Sequence, residues 1–248
     1  MKVIATYNIK GGVGKTATAV NLAYLAAREG ALTLVWDLDP QGAASYYFRI
    51  KPKIKGGGKR LVRGKRDLDD FIHGTDFELL DLLPADFSYR NMDIFLEHSE
   101  KPARQLRRLL RPFKDEYDYV FLDCPPSISL TSENVFAAAD AVLVPTIPTT
   151  LSLRTFKQVG KFFKQEQLDT LKLLPFFNMV DQRKQLHCSI VDAPPDYMSG
   201  LLQTHIPYSS EVERMGIHRA PVGDFAPRSR PEIRYQALWK EVKARLEQ

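Results

Sequence analysis

The 248-residue chain is 44% hydrophobic and 26% charged, the composition of a globular domain and not of a disordered chain. Its formal charge of +5 is lopsided: nine basic and no acidic residues fall between Arg49 and Arg66, so the other 230 residues carry −4 (+5 less +9). Two widely separated cysteines argue against a disulfide framework, no apolar run reaches the roughly 20 residues of a membrane span, and the N-terminus lacks signal-peptide architecture, so a cytoplasmic protein is expected.

In chain order, short apolar, β-branched runs predict strands at Val3–Tyr7, Leu32–Asp37, Leu79–Leu83, Tyr119–Asp123, Ala141–Pro145 and Leu173–Asn178, with a short piece near Ile206. Helical patterns fall between and after them, at Lys15–Glu29, Ala103–Leu110, Thr131–Ala139, Ser152–Gln165 and Glu232–Glu247. Such alternation predicts an α/β fold, a predominantly parallel sheet with helices on both faces and a ligand at the carboxyl ends of the strands. A chain of this size buries roughly 70–75% of its unfolded surface and needs no staple. One domain over 1–248 is expected, with a basic insertion at about 49–66 whose Gly56-Gly57-Gly58 reads as a flexible, exposed loop tip.

The first strand runs into Asn8-Ile9-Lys10-Gly11-Gly12-Val13-Gly14-Lys15-Thr16, followed at once by the helical run from Ala17. Glycines there let consecutive backbone N–H groups turn inward around a phosphate, and the helix start adds its own unpaired N–H groups and partial positive charge. Gly11, Gly12, Val13, Gly14, Lys15, Thr16 and Ala17 are the nucleotide-binding candidates. Lys15 is placed to reach the β- and γ-phosphates and Thr16 to ligate Mg²⁺. The general pattern starts with glycine five residues before Gly14; here that position is Ile9, and a second lysine, Lys10, follows it.

Two other strand ends carry carboxylates. Asp37-Leu38-Asp39-Pro40 puts Asp37 and Asp39 on one face by strand alternation, with Pro40 ending the strand. Tyr119-Val120-Phe121-Leu122-Asp123 is an apolar strand ending in a carboxylate, the arrangement that holds Mg²⁺ directly or through water. Cys124, next in the chain, has no histidine nearby in sequence to activate it and reads as a small buried hydrophobe.

Lys-Gly-Gly-Val-Gly-Lys-Thr, Asp-Leu-Asp-Pro-Gln-Gly and Asp-Cys-Pro-Pro-Ser together resemble the deviant Walker-A P-loop ATPases of the ParA/MinD family, in its ParA branch. The resemblance runs from Lys2 to about Leu246 and is weakest over Tyr46–Leu68. It implies ATP and Mg²⁺ as cofactors and a nucleotide-sandwich homodimer in which Lys10 reaches the partner's phosphates. It further implies that Asp39 orients the attacking water, that Asp37 and Asp123 stand at the metal, and that Asn178 reads the adenine. By this resemblance Lys10, Lys15 and Asp39 are the catalytic candidates, and hydrolysis is slow without a ParB-like activator or cargo adaptor.

Within the family, neither cysteine has the spacing of a cluster-binding iron protein. The last helix carries an apolar face of Tyr235, Leu238, Trp239, Val242 and Leu246, which reads as a helix docked on the sheet and not as a membrane anchor. The chain opens on its first strand, so a preceding operator-reading module is not expected. The family resemblance then implies ATP-dependent, non-specific DNA binding, which needs cations along a surface. Three clusters qualify: Arg49–Arg66; Lys101, Arg104, Arg107, Arg108, Arg111 and Lys114; and Arg214 to Arg234. Lys59, Arg60, Arg63, Arg219, Arg228 and Arg230 are the DNA-contact candidates. A membrane- or protein-scaffold positioning ATPase, and an ATP-dependent amide ligase on the same scaffold, remain open as alternatives.

Overall fold

The computed structural model describes residues 1–63 and 68–247. Seven strands form one sheet: β1 (Lys2–Thr6), β2 (Thr33–Asp37), β3 (His73–Gly74), β4 (Leu80–Leu83), β5 (Tyr119–Asp123), β6 (Ala141–Thr146) and β7 (Leu173–Phe177). Their order is β3-β4-β2-β5-β1-β6-β7, and all neighbours are parallel except the short edge pair β3 and β4. Ile206 and its neighbours give only an isolated bridge, Val180 to Pro207, in place of the expected strand piece.

The central strands are apolar on both sides because both faces are covered. One face buries Val3, Ala5, Leu34 and Trp36 under α3 (Gly57–Val62), α4 (Met92–Glu97), α5 (Gln105–Leu110), α6 (Leu130–Ala138) and α7 (Thr150–Gln165). The other buries Ile4, Val35 and Phe121 under α1 (Lys15–Arg28), α9 (Ser210–His218), α10 (Val222–Phe225) and α11 (Arg230–Leu246). The remaining helices are α2 (Ala43–Tyr47), after β2, and α8 (Gln185–Asp192), after β7.

Two helices show how local sequence sets the frame. Alanine-rich α1 starts directly after Gly14. It stops where Gly30, at φ +96°, lets the Ala31 and Gly30 amides donate back to the carbonyls of Ala26 and Ala27. Helix α11 starts at Ser229, which caps the Glu232 amide, and buries Tyr235, Leu238, Trp239 and Val242. Each of these side chains contributes about 1.5–3 kcal/mol relative to exposure, so the apolar face belongs to the core. No helix among the described residues is long and apolar enough to cross a membrane.

The basic segment departs from expectation. It is no free arm over its described part: Ile54, Leu61 and Val62 are buried, and Gly56–Gly58 opens helix α3 instead of forming a loop tip. Gly58 packs so closely that a Cβ there would meet the Tyr89 ring at 2.8 Å. The cations Lys51, Lys53, Lys55, Lys59 and Arg63 point outward from this docked segment, while Lys65 and Arg66 lie outside the described residues. The arginine stripe is also reshaped. Pro102–Arg104 and Arg111–Asp115 are 3₁₀ turns flanking α5, although Arg104, Arg107, Arg108 and Arg111 all remain exposed.

Candidate functional site

β1, β2 and β5 lie side by side in parallel register, so their carboxyl ends deliver the three motifs to one crevice. Thr6 is the Cα partner of Asp123, and Asp123 is that of Asp37. The phosphate loop after β1 is anchored at its start by buried Asn8, whose amide donates to the Pro145 carbonyl and whose Oδ1 accepts the Lys10 backbone N–H at 2.9 Å. Gly12 (φ +69°) and Gly14 (φ +90°) take left-handed conformations that a side chain would strain. Beyond Gly11 and Gly12 there is open space where a Cβ would stand, the room that a phosphate needs to approach the backbone.

The two lysines of the loop sit in different environments. Lys15 is buried, and its Nζ reaches the Lys10 carbonyl at 3.4 Å. Burial pulls its pKa below the usual lysine value, against the opposing influence of Asp123, Cys124 and Asp39. Lys10 is half-buried on the loop's rim, with its Nζ donating to Ser152 Oγ on α7 at 3.2 Å. Asn178, after β7, is buried beneath the loop. Its Nδ2 donates to the Val13 carbonyl at 2.7 Å, and a Cβ on Gly14 would fall 2.2 Å from that nitrogen. The structure thus joins Asn178 to the phosphate loop itself.

The carboxylates divide in the same way. Asp37 is fully buried. Its Oδ2 accepts both the Ser45 N–H and the Ser45 Oγ–H at 2.8 Å, and its Oδ1 accepts the Asp39 N–H at 3.3 Å. Burial raises its pKa to about 6 despite the Ser45 bonds. Asp123 is equally buried, and its Oδ2 has no hydrogen-bond partner among the described residues. Burial, then the nearby Asp37, pushes its pKa well above the carboxylate range, while Thr16 and Lys15 pull the other way. Asp39 is half-buried at the mouth, its Oδ1 accepting the Gln41 N–H at 3.0 Å. Cys124 is buried and its thiol is raised by burial and by Asp123, which leaves it inert, as expected from the sequence.

An orphaned carboxylate oxygen beside a threonine hydroxyl and a phosphate loop fits a divalent cation. Among the described residues no group of three or more His, Cys, Asp or Glu side chains forms a ready-made metal cage. That donor set suits Mg²⁺, which takes one or two carboxylates and completes its octahedron with phosphate oxygens and water.

Several contacts at this site were invisible in the sequence. Ser45 holds Asp37 and also accepts the Ala85 amide, and Ser152 holds Lys10 from a helix more than a hundred residues away. Helix α2, which carries Ser45, joins the C-terminal region through Tyr46. The Arg219 Nε donates to the Tyr46 carbonyl at 3.0 Å, its guanidinium covers the Tyr46 ring, and the Tyr46 hydroxyl donates to the Gly216 carbonyl. Arg219 is therefore half-buried and engaged, whereas Arg228 and Arg230 are exposed before and at the start of α11. Lys59 and Arg63 are exposed on α3 and its end. Arg60 is half-buried, its stem folded against Gly56.

The family model for an AAA domain matches residues 1–174. The sporulation initiation inhibitor protein Soj of Bacillus subtilis is 32% identical over 98% of each chain. The chain belongs to the ParA/MinD family of P-loop ATPases. Solved structures agree on the fold. Cobyrinic acid a,c-diamide synthase of Mycobacterium smegmatis, with bound ATP analog and magnesium, superposes with a TM-score of 0.84 at 25% identity, covering 98% of this chain and 94% of that one. A variant of McdA from Cyanothece in complex with ATP gives a TM-score of 0.83 at 20% identity, covering 98% and 96%. The family fold thus serves both a diamide synthase and McdA, so function must be argued from this chain's own residues.

Proposed function

We propose that the chain is a Mg²⁺-dependent ATPase of the partitioning or positioning kind, working as a switch in which ATP closes a homodimer that holds non-specific DNA. The observation that carries this reading is the unequal pair of lysines on one phosphate loop. Lys15 is buried and committed to its own crevice, while Lys10 stands at the rim, where its only side-chain hydrogen-bond partner among the described residues is Ser152. A lysine so placed is free to leave that hydroxyl for the phosphates of a second subunit.

In this reading the backbone of Gly11 to Thr16 cradles the phosphates, with Ala17 in the first turn of the helix behind them. Lys15 neutralises the transferred phosphoryl group. The Thr16 hydroxyl and the free oxygen of Asp123 would hold Mg²⁺, which when bound would supply charge neutralisation to the phosphates. Asp37 stands near the metal or its water shell and also positions Asp39 and α2 through its three accepted hydrogen bonds. Asp39, nearest the mouth, orients the attacking water, and turnover stays slow until a ParB-like activator or cargo adaptor completes the site. Asn178 supports the loop through Val13, and its remaining N–H is the one available for adenine. Docking of the α11 apolar face in the core supports DNA over a membrane as the second partner.

The test is light scattering coupled to gel filtration with ATP and Mg²⁺. Lys10→Ala should stay monomeric with an unchanged melting temperature, while Asp39→Ala should stay dimeric after wild type has returned to monomer. An ATP-dependent dimer of Lys10→Ala would end the switch reading.

A further inference from the structure

The cations around α5 have no part in the crevice. Lys101, Arg104, Arg107, Arg108 and Arg111 line a surface groove of about 460 Å³, to which no acidic and no apolar residue contributes among the described residues. Arg107 and Arg111 continue, with Lys114 and Lys172, into an adjoining cavity of about 420 Å³ against Met1, Val3 and Asp140. Those last residues stand at the amino ends of β1 and β6, so the groove lies at the opposite end of the strands from the phosphate loop.

The cations are held on a fixed element. Leu106, Leu109 and Leu110 are buried, buried Gln105 donates to the Val62 carbonyl, and Asn134 of α6 bonds both the Leu106 amide and the Pro102 carbonyl. Several other surface arginines have acidic partners: Arg49 with Asp76, Arg183 with Asp181. Here only Arg108 has one, Glu100, and Arg104, Arg107 and Arg111 make no ion pair among the described residues. Cations fixed side by side without counter-charge repel one another, and a polyanion relieves that repulsion. Seven residues of helical rise span about 10 Å, over which duplex DNA presents about six phosphates. Guanidinium forks match phosphate oxygens pairwise. A groove without an apolar side chain to insert does not suit a bilayer.

We propose that the α5 groove binds the phosphate backbone of duplex DNA, as a site separate from the nucleotide crevice and from Arg228 and Arg230. The inference rests on the dimeric DNA-binding switch above. A dimer closed through its two crevices carries its two grooves facing apart, so one dimer bridges two duplex segments.

The test uses the full chain with ATP and Mg²⁺, a labelled duplex of about 60 base pairs, several times the span of one groove, and a second duplex on beads. Arg104→Gln, Arg107→Gln and Arg111→Gln combined should leave basal ATP hydrolysis unchanged. They should lower the slope of log affinity against log salt by about 2.7, roughly 0.9 per lost contact, and abolish capture of the labelled duplex by the beads. If the combined variant does not fold, Arg107→Gln and Arg111→Gln alone should each lower the slope by about 0.9. An unchanged slope with bridging intact overturns the groove and leaves the switch standing, as does binding lost only in Arg228→Gln with Arg230→Gln. Wild type that binds no duplex with or without ATP overturns both. Binding of wild type, but not of the triple variant, to phosphatidylglycerol vesicles in place of duplex overturns the groove in favour of a membrane.

Discussion

The phosphate crevice and the basic segment spend charge in opposite ways. In the crevice two lysines and three carboxylates lie within one cluster, three of the five fully or nearly buried, and for those three, Lys15, Asp37 and Asp123, protonation is set by desolvation and by the neighbouring charges. In residues 49–63 the cations, all exposed but Arg60, stand on a docked scaffold of Ile54, Leu61 and Val62, and Arg49 is tied to Asp76. Removing one buried charge should change chemistry, whereas removing several exposed ones should change only what the surface attracts.

The largest effect that this contrast predicts is at Lys15. Lys15→Ala should lower phosphate release by roughly 10²–10³-fold with far-ultraviolet dichroism unchanged, the scale of losing one preorganised electrostatic group. A smaller loss would mean that burial of the ammonium is structural. Next comes the scaffold under the basic segment. Leu61→Ala should destabilise the protein by about 2–5 kcal/mol in urea unfolding, as for a leucine in a packed core. An unchanged midpoint would return the segment to the status of a free arm.

Asp37 gives a smaller, pH-dependent effect. Its folded pKa of about 6 lies above the ordinary aspartate value, so the folded chain binds its proton more tightly than the unfolded chain does. The cost of the ionised carboxylate is absent below about pH 4 and complete above about pH 6, where it reaches at most about 3 kcal/mol. In Mg²⁺-free buffer the stability of Asp37→Asn relative to wild type should therefore climb from about pH 4 to about pH 6 and then level off. A flat difference would show that the Ser45 hydrogen bonds fully offset burial. The smallest effect is expected for Lys59→Gln with Arg63→Gln, whose stability should move by no more than about 0.5 kcal/mol while ATP hydrolysis holds. A larger shift would make these cations part of the scaffold.

The crevice was legible because its residues follow strands directly. Lys10 to Thr16, Asp37, Asp39 and Asp123 each sit where an apolar run ends, and parallel strands bring such ends together. The helices α2 and α3 were not legible. Gly56-Gly57-Gly58 and the cations mask a helix whose apolar residues, Leu61 and Val62, are too few to show a period, and a helix this short forms only by docking. The two-residue edge strand β3 and the four-residue helix α10 fail the same test of length. Asp37 to Ser45, Lys10 to Ser152 and Arg219 to Tyr46 belong to tertiary packing, and no local pattern announces them. The resemblance placed Asn178 at the adenine, and the structure adds its bond to the loop.

The register of β1, β5 and β2 has one more consequence. Thr6, Asp123 and Asp37 sit side by side at the carboxyl ends of the sheet's three central strands, so their positions are tied to the sheet. Lys10, Asp39 and α2 hang beyond that row on single turns and a few side-chain bonds. In the proposed cycle of opening and closing, the row is expected to stay in place as the anvil and the rim to be the part that travels.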